Sequence, residues 1–316
     1  MVSEAVGRLQ RGGLVVAENS VSQPRWRGWL ALLLAIWPLA LAAQPTTLEN
    51  RFRESQGRDY QPPSSDELRQ AEQLFQQAFA GRIEATEWAA LGFQVERVTE
   101  NDRVFMVIRE QPNQRRGHGF YTFAAPMTDA PILQAPHALS DQHTGVIALH
   151  LFAEGRFAAG AWSTAPRRYQ DDEDQTVDAD MAHQPDSYFI AFSRAAALLA
   201  RPARALLQLH GFATHKRKTE AGRAAGVIVS AGQRQPTPAA EQIARCLAEK
   251  LTTPVLLYPQ DVRELGALTN QVGKALRTLG HSGFVHIELA QPVREQLRAD
   301  AELRQRFGAC LVRVRP

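Results

Sequence analysis

The chain has 316 residues, of which 44% are hydrophobic and 22% are charged, which is typical of a globular protein with a buried core. Its formal net charge is +3, from 36 lysines and arginines against 33 aspartates and glutamates. The basic clusters, such as Arg115-Arg116 and residues 215–218, are short and carry no interleaved aromatic side chains. We therefore expect no nucleic-acid partner.

The first 43 residues have the pattern of a secretory signal peptide. Arg25 and Arg27 precede an apolar run over residues 29–39, and small residues follow at 40–43. The run is shorter than the roughly 20 residues that a membrane-spanning helix needs, so we expect no stable membrane span after cleavage. The protein is therefore predicted to be exported to the periplasm, and removal of residues 1–43 would leave a net charge of +1.

The chain has two cysteines, Cys246 and Cys310. In an exported protein they could form one disulfide bond, but two thiols cannot supply a framework of disulfides. Their separation along the chain lacks the spacing of cysteine zinc sites, which excludes zinc held by thiolates. Any metal would therefore be held by nitrogen and oxygen donors.

The segment before the main alternation of strands and helices has two parts. Residues 44–64 are polar and rich in proline and serine, which predicts a flexible linker. A helix capped by Asp66 and a hairpin that turns at residues 100–102 are predicted next. We expect residues 65–118, which contain both, to be part of the main domain or to pack on it.

Residues 119–316 alternate between strand-like and helix-like segments and are predicted to form the catalytic domain. Short apolar runs that predict strands are separated by longer segments with helical spacing, among them a helix over 264–279. The chain is predicted to end with a helix over 292–307 and a strand over 309–314. This alternation predicts an α/β fold with a mixed, mostly parallel sheet and helices on both faces.

Three side chains that can bind a metal ion follow a predicted strand at residues 131–135. His137, Asp141 and His143 come directly after this apolar run. Side chains in this position lie at the edge of an open α/β sheet, where ligands bind. Imidazole nitrogens and carboxylate oxygens are both zinc donors, so His137 is a candidate ligand. Asp141 and His143 are alternative candidates for the second metal ligand.

A further histidine, His210, follows the apolar run predicted as a strand over residues 203–209. Gly211 comes next and would let the backbone approach a ligand closely. If the two strands are parallel neighbours, His210 and His137 emerge at the same edge of the sheet. The alternative is a capping or buried structural histidine, which is the more common role of a single histidine.

A late predicted strand over residues 283–289 carries His286 and Glu288. Alternation of side chains along a strand places both on one face, with apolar residues on the other. A carboxylate in an apolar strand is costly to bury unless it is paired, and a catalytic base beside a metal would explain its presence. The alternative is an ion pair with an arginine such as Arg294.

Two arginines, Arg167 and Arg168, follow another predicted strand at residues 156–163. A guanidinium group can bind a carboxylate through two parallel hydrogen bonds, so one of the pair is predicted to bind a substrate carboxylate. We favour Arg168, with Arg167 as the second candidate. The loop 178–183, which ends in His183, is predicted to line the cleft or to hydrogen-bond the metal-binding imidazoles.

The order of these segments resembles that of the carboxypeptidase A-like zinc peptidases, and the local motifs are similar to the N-formylglutamate amidohydrolase-like branch of that superfamily. The resemblance covers roughly residues 119–316. It rests on short motifs, which are Ala135-Pro136-His137, Asp141, Arg167-Arg168-Tyr169, Leu209-His210-Gly211-Phe212 and Glu288.

The resemblance implies a zinc carboxypeptidase-like fold and one Zn²⁺ ion bound by His137, Asp141 and His210. It also implies that Glu288 acts as the general base and that Arg168 binds a substrate carboxylate. Zinc with three protein ligands keeps a fourth position for water, which is the arrangement of a metal-dependent hydrolase.

The chain departs from the pattern of the peptidases in two places. They usually have a glutamate three residues after the first histidine, whereas this chain has Asp141 four residues after His137. The arginine segment lacks the asparagine or histidine that often precedes the family's arginine. These departures leave open whether the substrate is a peptide. They also leave open whether Asp141 or His143 is the second ligand. His143, His183 and His286 are predicted to be alternative ligands or hydrogen-bond partners of the ligands.

The residues and the resemblance together predict an exported, zinc-dependent hydrolase that cleaves an amide bond next to a carboxylate. The substrate would be a small acyl-amino acid or a peptide, including one derived from the cell wall. The alternative is a non-catalytic periplasmic binding or assembly protein on a degenerate zinc-hydrolase scaffold. Stoichiometric zinc and chelator-sensitive amide hydrolysis would distinguish the enzyme from the binding protein.

Overall fold

The computed structural model describes residues 47–199 and 204–314. The predicted signal peptide, residues 1–43, lies outside these ranges. Within them, no helix combines the length and the apolar character that crossing a membrane requires.

Eleven strands and ten α-helices, with one short 3₁₀ turn at Thr214–Lys216, follow one another along the described ranges. In chain order they are α1 (Leu48–Ser55), α2 (Ser65–Phe79), α3 (Ala85–Ala90), β1 (Phe93–Glu100), β2 (Arg103–Glu110), β3 (Phe120–Ala125), β4 (Ile132–Ala135), α4 (Thr144–Glu154), β5 (Ala159–Trp162), β6 (Arg168–Gln170), β7 (Thr176–Asp178), α5 (Tyr188–Leu199), β8 (Leu206–Phe212), α6 (Glu220–Ala224), β9 (Val227–Ser230), α7 (Pro238–Lys250), β10 (Val255–Leu257), α8 (Gln271–Thr278), β11 (Phe284–Ala290), α9 (Gln291–Ala299) and α10 (Ala301–Leu311).

Nine of the strands form one sheet, in the order β1-β2-β3-β5-β4-β8-β11-β9-β10. The four central strands, β5, β4, β8 and β11, are parallel to one another. On one side β1, β2 and β3 continue the sheet in antiparallel fashion, and on the other β9 is antiparallel to β11 and parallel to β10. The short strands β6 and β7 form a separate hairpin. The predicted α/β fold with a mixed sheet is confirmed.

Helices cover both faces of the sheet and bury two apolar clusters. Side chains of α1, α4, α7, α9 and α10 pack on one face, together with Leu207 and Leu209 of β8. Side chains of α2, α5 and α8 pack on the other face, together with Leu206 of β8 and Phe284 of β11. Because side chains alternate along a strand, the even-numbered residues of β8 up to His210 and of β11 up to Glu288 lie on the face that α5 and α8 cover. Phe212 and Ala290, at the strand ends, pack with the first cluster instead. The polar residues that β8 and β11 place on this second face are Gln208, His210, His286 and Glu288.

The segment predicted as a flexible linker, residues 44–64, contains a helix instead. Thr47 caps α1, and Leu48 and Phe52 lie one turn apart on its buried face. The Phe52 ring packs edge-on against Phe120 of β3, with 5.6 Å between the ring centroids. Packing on the sheet stabilises this short helix, and a polar composition gives no indication of such a contact.

Residues 65–118 contribute two strands to the main sheet, since β2 pairs with β3. The predicted hairpin is present, and Asn101 and Asp102 both have positive φ values, 51° and 57°, as a two-residue hairpin turn requires. The helix α2 begins one residue before Asp66, and Ser64 caps it in a reciprocal capping box with Glu67.

The strand predicted at residues 309–314 is wrong. Helix α10 continues to Leu311, because Phe307, Cys310 and Leu311 lie at helical spacing and are buried in the core. Packing therefore overrides the strand propensity of this segment. Cys310 forms a disulfide bond with Cys246 of α7, which joins the two helices.

Two other predicted helices are interrupted or shortened. The helix predicted over residues 292–307 divides at Asp300, whose side chain caps α10. The helix predicted over residues 264–279 begins only at Gln271, with Asn270 as its cap. The residues before Asn270 form a loop at the edge of the sheet, where they line the cavity described below.

Replacing Phe52 with alanine is expected to lower the free energy of unfolding by about 3 to 5 kcal/mol, the usual cost of removing a fully buried phenylalanine. Arg53→Ala is the matched control. It removes an exposed ion pair with Glu49, which should cost less than about 1 kcal/mol. Urea denaturation monitored by circular dichroism measures both losses. Two equally small losses would contradict the packing of α1 on the sheet.

Candidate metal centre

Seven of the nine side chains that the sequence predicts for the site line one cavity of about 230 Å³. The cavity lies at the carboxyl ends of β4, β8 and β11. The seven are His137, Asp141, Arg167, His183, His210, His286 and Glu288. The strands β4 and β8 are parallel neighbours, as the hypothesis for His137 and His210 requires. His210 lies within β8, which continues to Phe212, rather than after the strand as predicted.

Three donor atoms on the cavity wall converge. His137 Nδ1 lies 3.1 Å from His210 Nδ1 and 3.3 Å from Asp141 Oδ2, and the His210 and Asp141 atoms are 3.9 Å apart. Ligands bound at about 2.1 Å by a tetrahedral zinc ion lie about 3.4 Å from one another. The separations therefore fit three ligands of one ion, and this donor set leaves one tetrahedral position free.

The imidazole rings of both histidines are oriented through their other nitrogen. His137 Nε2 lies 2.7 Å from Asp180 Oδ1, and His210 Nε2 lies 3.3 Å from Gln208 Oε1. Histidines that bind a metal usually donate their remaining N–H to such an acceptor, which fixes the ring and its tautomer. Asp141 is held through the converging atom itself, because its Oδ2 accepts a hydrogen bond of 2.8 Å from the Gly211 backbone N–H.

Asp180 connects His137 to the rest of the cavity wall. This carboxylate is 2% exposed. Besides His137, it contacts Arg167 Nη2 at 2.5 Å and His183 Nδ1 at 3.0 Å. The sequence leaves two roles open for the loop 178–183, and the structure divides them between Asp180, which orients His137, and His183, which lines the cavity.

The charges in the metal-free cavity follow from these contacts. Burial disfavours a charged His137, but hydrogen bonds to Asp141 and Asp180 outweigh it and raise its pKa to about 9. Burial and the neighbouring His286 hold the pKa of His210 well below its usual value. His137 is therefore cationic at neutral pH and His210 is neutral.

Glu288 is a buried carboxylate with spare hydrogen-bonding capacity. Burial, with a smaller contribution from Asp141, raises its pKa to about 8. Its Oε1 lies 3.6 Å from His286 Nε2, while its Oε2 has no hydrogen-bond partner among the described residues. The alternative ion pair with Arg294 is not formed, because that guanidinium donates instead to the backbone carbonyls of Gln142, Phe212 and Leu289.

The choice between the two arginines is corrected. Arg168 is 64% exposed and lies on β6, where it faces Asp178 of β7 at 3.3 Å, so it does not line the cavity. Arg167 lies at the base of the same hairpin and does line it. Neighbouring residues in an extended segment point in opposite directions, and here the inward one is Arg167.

His143 does not reach the cavity either. It is the residue before α4 and has a left-handed backbone conformation with φ of 68°. Its Nδ1 lies 3.0 Å from Arg298 Nη1, on a different part of the surface. Asp141 is therefore the residue that meets His137 and His210.

Sequence reasoning offered Asp180 as one of three polar candidates in the loop 178–183 without choosing among them, and it missed Gln208 and Asn270. Gln208 and Asn270 are buried, and Asn270 also lines the cavity. The sequence did contain a signal for Gln208, because this polar residue interrupts an apolar strand on the same face as His210.

Two further residues of the cavity wall, Leu265 and Ala267, have positive φ values of 58° and 53°. This strained backbone conformation clusters at functional sites.

No family model matches this sequence, and no curated protein matches it. Among solved structures, a protein described as a putative metallopeptidase from Shewanella amazonensis SB2B is 8% identical, with a TM-score of 0.32, and the match covers 80% of this chain and 99% of that one. The cytosol aminopeptidase from Coxiella burnetii is 11% identical, with a TM-score of 0.27, and the match covers 77% of this chain and 64% of that one. Similarities this remote carry no argument about function, which has to be judged from the side chains of the site.

The affinity of the metal-free protein for Zn²⁺ is expected to rise with pH. An ion bound by His137 Nδ1 must displace a proton that is held with a pKa of about 9. The apparent affinity should therefore increase by about tenfold per pH unit between pH 7 and 9. Competition with a chromogenic chelator measures it, and an affinity that stays constant over this range would contradict the role of His137.

Proposed function

We propose that this chain is an exported, zinc-dependent hydrolase that cleaves an amide bond next to a carboxylate, like the N-formylglutamate amidohydrolase-like branch of the zinc carboxypeptidase superfamily. The observation that carries the proposal is the convergence of three donor atoms, on His137, Asp141 and His210, at 3.1 to 3.9 Å from one another. Glu288 lines the same cavity and would provide a carboxylate beside an ion held by these donors.

The chemistry of the donors favours zinc. Two imidazoles and one carboxylate are a common set for catalytic zinc, and they leave a fourth position for water or substrate. The hydrogen bond from His137 to Asp180 supports this assignment, because carboxylates in this position are typical partners of histidines that bind zinc. The unpaired Oε2 of Glu288 also supports it, since a buried carboxylate oxygen without a partner is costly unless a ligand or an ion completes it.

Bound zinc would supply a Lewis acid that polarises the substrate carbonyl and lowers the pKa of water. Glu288 takes a proton from the attacking water and delivers it to the leaving amine. Burial raises the pKa of Glu288 to about 8 in the metal-free cavity. The charge of a bound ion would lower it towards the range in which a carboxylate can accept and release a proton near pH 7. Asp180 would hold the His137 ring in its orientation through the hydrogen bond at Nε2.

Arg167 binds the carboxylate of the substrate in this proposal. It lines the cavity beside His137, and its Nε is buried without a hydrogen-bond partner among the described residues. Its Nη2 is anchored on Asp180, which fixes the plane of the guanidinium group. The substrate is an acyl-amino acid or a short peptide, including one released from the cell wall, with its carboxylate close to the amide that is cleaved.

Export to the periplasm is part of the proposal. Residues 1–43 have the sequence pattern of a signal peptide. The disulfide bond between Cys246 and Cys310 supports the same compartment, because disulfides persist mainly in oxidising environments.

The purified protein is expected to contain about one zinc ion per chain, as catalytic sites of this type do. His137→Ala and His210→Ala should each lose most of it, since each removes one of three protein ligands. His143→Ala is the matched histidine control and should keep its zinc. Mass spectrometry of the dissolved metal measures all four proteins, and unchanged zinc in both ligand variants would sink the assignment.

Glu288→Gln is expected to keep zinc and to lower kcat by about 10²- to 10⁴-fold, the usual contribution of a general base. Release of amino acid from N-formyl and N-acetyl amino acids measures the rate, with the corresponding amides as substrates that lack the carboxylate. A variant as active as the wild type would exclude Glu288 as the base. Zinc-loaded wild type that hydrolyses neither the N-formyl nor the N-acetyl amino acids would favour the non-catalytic binding protein instead.

A further inference from the structure

A chain of buried polar side chains runs from the core of the protein to His210. Its members are Gln208 of β8, Gln134 of β4, Ser193 of α5 and Asn270, which caps α8. The first three are 0% exposed and Asn270 is 3% exposed. Since solvent does not reach these groups, each must find its hydrogen-bond partners within the protein, and the direction of each bond is fixed by its neighbours.

One arm of this series of buried polar side chains begins at a backbone carbonyl. Ser193 Oγ lies 2.8 Å from the carbonyl oxygen of Phe189, which can only accept, so the hydroxyl donates its proton there. Gln134 must then donate to Ser193 through its Nε2, at 2.9 Å. Gln134 Oε1 is therefore the atom that faces Gln208, and it accepts from Gln208 Nε2 at 2.9 Å.

The other arm begins at a backbone N–H. The Gly273 backbone N–H donates to Asn270 Oδ1 at 3.0 Å, which identifies the oxygen of that amide. Asn270 Nδ2 is thus the donor to Gln208 Oε1, at 2.8 Å. The two arms start from different backbone groups and assign the same orientation to Gln208, with its oxygen directed towards Asn270 and His210.

We propose that Gln208 is a positioning residue that fixes the tautomer of His210. Its Oε1 lies 3.3 Å from His210 Nε2 and can only accept, so Nε2 carries the single proton of the neutral ring. His210 Nδ1 is then bare, and it is the atom that faces His137 and Asp141.

This inference deepens the proposed metal site and rests on it for its function. Ligation needs a bare nitrogen, so a histidine held with its proton on Nδ1 would have to exchange it before binding a metal. Outer partners of metal-binding histidines usually change metal affinity by about 10- to 100-fold. Asn270 belongs to the cavity wall as well, so the hydrogen bond that orients Gln208 also connects the ligand to the loop beside the substrate.

The tautomer of His210 is measured in the metal-free wild type, by long-range ¹H–¹⁵N correlation on protein labelled at histidine, at pH 8. The His210 resonances are assigned by their loss in His210→Ala. We expect a protonated Nε2 and an unprotonated Nδ1, and the opposite tautomer would overturn the inference. This result does not depend on metal or activity, whereas failure of the proposed function would appear as absent zinc.

Two matched variants then separate positioning from general destabilisation. Gln208→Met removes the acceptor where both arms meet, and we expect a mixture of tautomers and about 10- to 100-fold weaker Zn²⁺ binding. Gln134→Met makes the same change one strand away and removes one arm, while Asn270 still orients Gln208, so His210 should keep its tautomer. Equal losses of zinc affinity in the two variants would contradict the inference.

A conservative variant covers the case in which Gln208→Met does not fold. Gln208→Glu keeps an acceptor oxygen within reach of both His210 and Asn270. This variant should keep the proton on His210 Nε2. An unprotonated Nε2 in Gln208→Glu would also overturn the inference.

Discussion

The Nδ1 atoms of two buried histidines, His137 and His210, lie 3.1 Å apart at the wall of the cavity, and the rest of the site depends on this approach. Two bare nitrogen lone pairs repel each other at that distance, so a proton or a cation has to lie between them. Without a metal, Asp141 and Asp180 keep His137 protonated, while burial keeps His210 neutral. A metal ion would replace that proton and turn the same two atoms into ligands, which couples metal binding to proton release.

The fold creates this approach by placing three parallel strands side by side. β4, β8 and β11 are adjacent, so the residues at their carboxyl ends share one edge of the sheet. The paired register of β8 and β11 sets His210 beside Glu288, on the face opposite the apolar residues that pack against α4 and α9. Arg167 and Asp180 flank the two ends of the β6–β7 hairpin. The pairing of these strands therefore brings both side chains to the same edge of the sheet.

The sequence predicts the α/β fold and most of the cavity, because His137, His210 and Glu288 each interrupt or end an apolar strand. It does not distinguish Arg167 from Arg168, since two neighbours in an irregular segment have no periodicity that shows which one points inward. The choice of Asp141 over His143 depends on a left-handed turn at His143 that no composition indicates. The linker and final-strand predictions fail for a related reason, because α1 and the end of α10 are stabilised by long-range packing.

The most direct test of the site is a crystal structure of the zinc-loaded protein with anomalous diffraction at the zinc absorption edge. We expect one strong peak at about 2.1 Å from His137 Nδ1, His210 Nδ1 and Asp141 Oδ2. A zinc ion bound by His286 and Glu288 without His137 would contradict this ligand assignment. The absence of a peak in this cavity at full zinc loading would contradict it as well.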